Sequence, residues 1–163
     1  MAAKPRAGQD LLEDARVQAF ISTVKAQCKK CNVRLVFANS HGVGRQGKGD
    51  CWGFFQEPST NTSRLDTRHT AGILKIAIKD LPVTEWICTL AHEYAHFLQW
   101  FRADPVYSFD DSEYVKMEIA TEREALAILK RFRIPVDLDV VKRKSKVYIA
   151  KIRKQAKAKL TKP

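Results

Sequence analysis

Apolar residues recur along this chain in two rhythms, one helical and one alternating, and together they predict the elements of a small mixed domain. From Asp10 to about Lys30, Val17, Phe20, Ile21, Val24 and Cys28 fall on one side of a helix that closes near Asn32. Val33 to Ala38 has the composition and alternation of a strand, Cys51 to Phe55 reads as a second, and Ile73 to Lys79 as a third. The glycine-rich stretch Ser40 to Asp50 is expected to be a hairpin connection, and the polar stretch Glu57 to Thr70 a loop.

The second half of the chain is helical in period. Ile87, Leu90, Ala91, Tyr94, Leu98 and Phe101 predict a helix through Thr89 to Trp100. Ser112 to about Arg133 predicts another, with Val115, Ile119, Ala125, Leu126 and Leu129 on one stripe, and Ile134-Pro135 ends it. Leu138 to Leu160 is a third, in which Val141, Tyr148, Ile149, Ile152, Ala156 and Leu160 form a modest apolar stripe beneath many lysines and arginines.

Two features of this pattern carry chemistry. The helix through Thr89 to Trp100 contains His92-Glu93-Tyr94-Ala95-His96, an H-E-x-x-H segment. Residues four apart share a helix face, so two imidazoles project together, spaced for one Zn²⁺, with Glu93 beside them as general base. The histidines are expected to face a cleft, opposite the apolar stripe. The next helix places Glu122 at the centre of its own apolar stripe, where an ionised carboxylate is costly unless paired or bound to metal. Catalytic zinc commonly takes three protein ligands and keeps a position for water, so Glu122 is the expected third ligand. Glu118, one turn earlier, is the alternative ligand or a hydrogen-bond acceptor for a histidine N–H. Cys51, His69 and His41 are weaker upstream alternatives. The expected oxyanion donors are Tyr107, Tyr114 and His69. Gly42 to Gly47 matches G-x-G-x-x-G, but a strand follows it where a phosphate-binding loop must open a helix.

The pair His92-Glu93-x-x-His96 and Glu122-Arg123-Glu124-Ala125 resembles the two motifs of small gluzincin-type zinc metallopeptidases, and in particular the compact ImmA/IrrE-type regulators. The resemblance covers approximately Ile73 to Phe132. It implies Glu122 as the third ligand and peptide-bond hydrolysis as the activity. The expected fold class is α+β, a small mixed or antiparallel sheet packed against the H-E-x-x-H helix and a following ligand helix, with a basic C-terminal helix.

Composition adds an address to this chemistry. The 163 residues are 45% hydrophobic and 29% charged, ordinary for one globular domain. The expected organisation is a leader over residues 1–8, a metallopeptidase-like domain over 9–137 and a basic helical tail over 138–163. Of the 29 Lys and Arg, ten lie beyond Val140 with no acid among them, leaving 19 to set against 18 Asp and Glu. Within that tail Lys142, Arg143, Lys144, Lys146, Lys151, Arg153, Lys154, Lys157 and Lys159 are the expected contacts for DNA, RNA or an acidic partner protein. Cys28-Lys29-Lys30-Cys31 has no second pair to make a zinc ribbon, and the four cysteines are expected to be reduced. With no apolar run near the length of a bilayer, the expected setting is cytoplasmic or otherwise intracellular, with a virion as a second setting. Two functions follow as expectations. One is a zinc endopeptidase localised by its tail; the other is a zinc-fold protein acting as a nucleic-acid-binding or virion component, with catalysis absent or incidental.

Overall fold

The computed structural model describes residues 9–43, 51–60, 69–103 and 111–160. Within them the chain is α+β, as expected, with a sheet of three strands and the helices laid against it. The expected leader and Tyr107 lie outside the described residues.

The first helical stretch is interrupted by Asp14. α1 (Gln9–Glu13) ends there, and α2 (Ala15–Lys30) starts with Asp14 as its N-cap, its carboxylate accepting the Arg16 N–H at 2.8 Å. A short acidic side chain competes with the helix for its own backbone, which apolar periodicity alone does not register. Hydrogen bonds from the Arg16 side chain and backbone hold the Asp14 carboxyl down to about 2. Val17, Phe20, Val24 and Cys28 are buried, and the chain leaves α2 through Asn32 at a φ of 55°.

β1 (Val33–Ala38) runs parallel to β5 (Gly72–Ala77), and β2 (Gly53–Gln56) pairs antiparallel with the other edge of β5. The order β1-β5-β2 corrects the expected hairpin: β1 and β2 are adjacent in sequence, but β5 lies between them. On either side of the glycine-rich stretch, the Val43 N–H donates to the Cys51 carbonyl at 2.7 Å. β5 has Leu74 and Ile76 fully buried, with Leu74 opposite Leu35 and Ile76 opposite Phe37. The polar stretch expected to be loop contains a small ladder, β3 (Ser59–Thr60) with β4 (His69–Thr70).

α3 (Val83–Phe101) crosses the sheet against β2 and β5. It is buried on more than one face. Trp86, Ile87, Leu90, Ala91 and Tyr94 are buried, but so are Ala95, Phe97 and Gln99, whereas Phe101 is exposed. Such a helix is central, enclosed by sheet on one side and helices on others. Phe97 packs edge-on against Phe55 of β2, and Tyr94 against Phe20 of α2. α4 (Asp111–Arg131) packs on α3, and α5 (Leu138–Leu160) packs on α4. On α4 the buried line runs through Glu118, Thr121, Ala125 and Ile128, rotated from the expected stripe so that Glu118, not Glu122, is its most enclosed carboxylate. The end of α4 has no glycine; Arg133, at a φ of 51°, makes the turn before Pro135.

α5 is docked on the domain instead of extending from it as a tail. Ile152 is buried, Leu138 and Val141 pack against the core, and Lys144 forms an ion pair with Glu85 of α3. No helix among the described residues is long and apolar enough to cross a membrane. If α5 is integral, Ile152→Ala lowers the unfolding free energy by about 2 kcal/mol or more, whereas Val147→Ala, on the exposed side of the same helix, changes it by less than about 0.5 kcal/mol. Urea denaturation of the two variants checks this.

Candidate metal and catalytic site

The site is assembled where α3 and α4 face each other, and α5 covers it. One helical turn apart on α3, His92 and His96 bring their Nε2 atoms to 3.2 Å, with side chains 16% and 15% exposed. Glu118 of α4 approaches both: one carboxylate oxygen is 3.5 Å from His92 Nε2 and the other 3.5 Å from His96 Nε2. These three residues form a group able to hold a metal ion, their ligand atoms all lying within 4.8 Å of one another.

Glu122 lies on a different atom. Its carboxylate is 2.9 Å from His92 Nδ1, the ring nitrogen facing away from His96. The structure therefore separates the two glutamates that the sequence left in competition: Glu118 faces the paired Nε2 atoms and Glu122 orients the ring of His92. Of the two glutamates, the one that stands with both histidines in a group able to hold a metal is the alternative, Glu118, and not the expected Glu122. The physical reason is the rotation of α4, since the helix turns Glu118 inward and leaves Glu122 nearer the cleft.

His96 is held in the same way by a residue that periodicity did not single out. Thr121, fully buried, has its hydroxyl 3.4 Å from His96 Nδ1 and 3.0 Å from both Gln99 Oε1 and the Met117 carbonyl. Its one proton serves the two oxygens, leaving a lone pair to accept from the imidazole N–H. A threonine three residues after Glu118, on the same helix face, was the available signal.

Charge in this enclosure is unevenly shared. Burial opposes a charge on His92, but the hydrogen bond to Glu122 and the fields of Glu93 and Glu118 raise it to about 9. Burial and the neighbouring His92 push His96 down to about 3. Burial raises the Glu118 carboxyl, against the pull of His92 and a hydrogen bond from Tyr148. Burial acts in the same direction on Glu122, yet hydrogen bonds from His92 and Ser145 bring it below the ordinary range.

Glu93 points from α3 toward β2 and is 7% exposed. Burial raises its carboxyl to about 7, with His92 pulling down, Glu118 pushing up and a backbone hydrogen bond from Phe55 pulling down. That position depends on Gly53. A Cβ there would stand 2.8 Å from both Glu93 Cγ and Thr89 Cγ2, so a larger residue would force β2 and α3 apart.

Tyr148 of α5 was expected only as an apolar-stripe residue. Its hydroxyl donates to Glu118 at 3.1 Å, and its ring stands edge-on to His92 with centroids 5.8 Å apart. Burial and the adjacent Glu118 hold it as the phenol, far above the ordinary range. Among the expected oxyanion donors, Tyr114 shares hydrogen bonds with Tyr148 and Glu118, and burial raises it to about 12. The His69 side chain lies outside the described residues. His41 is exposed, 3.6 Å from Asp80, and takes no part in the group. Cys51 lines the cleft without joining the metal group, and Cys28 and Cys31 are free thiols.

The cleft beside the site has a volume of about 690 Å³ and is bordered by His92, Glu93, Glu122, Gly53 and Tyr148. No protein-family model, curated protein or solved structure matches the chain, so the site stands on its own geometry.

The two glutamates should separate in a metal titration. Glu118→Ala removes stoichiometric binding of Co²⁺ followed by absorption, whereas Glu122→Ala retains it with affinity reduced about ten- to a hundredfold. Gly53→Ala lowers stability by about 1–3 kcal/mol through overpacking at Glu93, measured by chemical denaturation.

Proposed function

We propose that this chain is a zinc-dependent endopeptidase of the small H-E-x-x-H type, with His92, His96 and Glu118 as ligands and Glu93 as general base. The observation that carries the reading is the triangle of ligand atoms. Ligands about 2.05 Å from a tetrahedral zinc are about 3.4 Å from one another; here the two Nε2 atoms are 3.2 Å apart, each lies 3.5 Å from a different oxygen of the Glu118 carboxylate, and one ligand atom from each residue lies within 4.8 Å of the others. Two imidazoles and one carboxylate also suit zinc by donor type.

Held by His92, His96 and Glu118, zinc would supply Lewis acidity toward a water and a carbonyl. The chain's own residues supply the remainder. Glu93, buried next to a ligand, would accept a proton from water and return it to the departing amine. Tyr148, a phenol at the edge of the site, would serve a developing oxyanion by turning its one proton away from Glu118, to which it donates in this structure. Glu122 and Thr121 keep the two rings oriented through their Nδ1 atoms. β5, the strand ahead of the motif helix, is paired on both sides and offers a peptide no edge. β2 is the edge strand nearest Glu93, and an extended backbone alongside it would cross the site.

A second reading has its own support in the outer face of α5. Arg143, Lys146, Arg153 and Lys154 are exposed on it, and no acid follows Asp139 along the helix. This charge suits DNA or RNA phosphates or an acidic partner, as the address of an enzyme or as the whole function of a nucleic-acid-binding or virion component.

Glu93→Gln should retain zinc, measured by elemental analysis, while hydrolysis of a casein or peptide substrate falls about a hundredfold to ten-thousandfold. Undiminished hydrolysis would rule out the mechanism. For the second reading, Lys146→Gln, Arg153→Gln and Lys154→Gln together should weaken DNA binding and reduce the slope of log K against log salt by up to about 3. Truncating α5 would be a poor substitute, since the helix also carries Tyr148.

A further inference from the structure

The cleft is chemically different at its two ends. Away from the metal group, Ala125, Leu126 and Leu129 of α4 line the cleft with Val136, just before α5, and Val140 and Val141 of its first turn, a mostly apolar end with Asp137 beside it. At the other end α5 presents Lys151, exposed at the rim just beyond Tyr148. Lys144, between the two ends, is already engaged by Glu85.

Because α5 runs along the cleft, its rise gives the spacing of these features. Val140 lies about 12 Å before Tyr148 along the helix axis and Lys151 about 4.5 Å after it. Helical side chains lean toward the N-terminus, which brings the Lys151 ammonium back toward Tyr148. An extended peptide advances about 3.3 Å per residue, so the roughly 16.5 Å between Val140 and Lys151 along the axis corresponds to about five residues, and to about four where the longer lysine chain leans back. The apolar end suits a bulky aliphatic side chain, whose burial alone favours binding by tenfold or more. The cationic end suits a carboxylate.

Building on the endopeptidase reading, we propose that the site selects peptides carrying a large aliphatic residue on one side of the metal group and an acidic residue on the other, with Leu126, Val140 and Lys151 setting the preference. Acidic substrates also match the net charge of +11, which draws them toward the protein before they reach the cleft.

The test uses the full chain, zinc-loaded and carrying Glu93→Gln so that peptides are bound but not cut. The probes are acetylated, amidated polyalanine octapeptides with Leu and Glu four or five residues apart, in both orders because the cleft does not fix the direction of the peptide. Control peptides replace Glu with Lys or Leu with Ala. At low salt the Leu/Glu peptide should bind about fivefold tighter than its Leu/Lys counterpart, the size expected of one exposed charge pair, in at least one order. Lys151→Glu, an exposed change that leaves the core untouched, should reverse that preference. Val140→Asp should remove most of the advantage of Leu over Ala. Equal binding of acidic and basic peptides, or no response to Lys151→Glu, overturns the proposal. Hydrolysis of the same peptides by the protein with Glu93 intact separates the two claims. Cleavage without charge preference overturns the selectivity and keeps the peptidase, whereas charge-selective binding without cleavage supports the selectivity and overturns the peptidase.

Discussion

Two imidazoles and three carboxylates are enclosed between α3, α4, α5 and β2, and the molecule is arranged around that constraint. Burying charge is costly unless each group finds a partner. Here every one does: His92 lies between Glu118 and Glu122, His96 between Glu118 and Thr121, and Glu93 against the backbone of β2. Among the described residues, no buried side-chain nitrogen or oxygen lacks a hydrogen bond. The cluster therefore constrains the relative rotation of α3 and α4, since a turn of either helix would separate several pairs at once.

The apolar core supplies the rigidity this cluster requires. α3 is clamped by Leu74 and Ile76 of the central strand, by Phe20 of α2 and by Ile128 and Leu129 of α4. With a central helix enclosed on several sides, His92 and His96 gain their orientation from packing as well as from their own hydrogen bonds. Gly53 performs the complementary task of letting β2 approach close enough to bury Glu93. Core and site are thus two aspects of one arrangement: apolar contacts set the distances, and polar contacts set the angles.

α5 joins features that seemed separable along the chain. Charge counting divides a nearly neutral domain from a basic tail, and that division holds for composition. In space the helix has two faces. Its inner face brings Tyr148 to Glu118, Ser145 to Glu122 and Lys144 to Glu85, while its outer face carries the exposed cations. Whatever binds the outer face does so on the helix that roofs the cleft.

Local pattern was enough to locate β1, α3, α4 and α5 within a few residues and to single out His92, Glu93 and His96, because a repeat of four residues on a helix is a local geometric fact. It was enough, too, to mark Glu122 as a carboxylate needing an explanation on an apolar stripe, with Glu118 as its alternative. What it did not contain was the rotation of α4 about its axis, which depends on how Thr121, Ala125 and Ile128 seat against α3, and that rotation decides which glutamate faces the Nε2 atoms. The same holds for β5 entering between β1 and β2, a pairing of strands distant in sequence, and for Tyr148 arriving from the last helix. Sequence by itself determined which residues have the chemistry; only long-range packing decided which of their atoms meet.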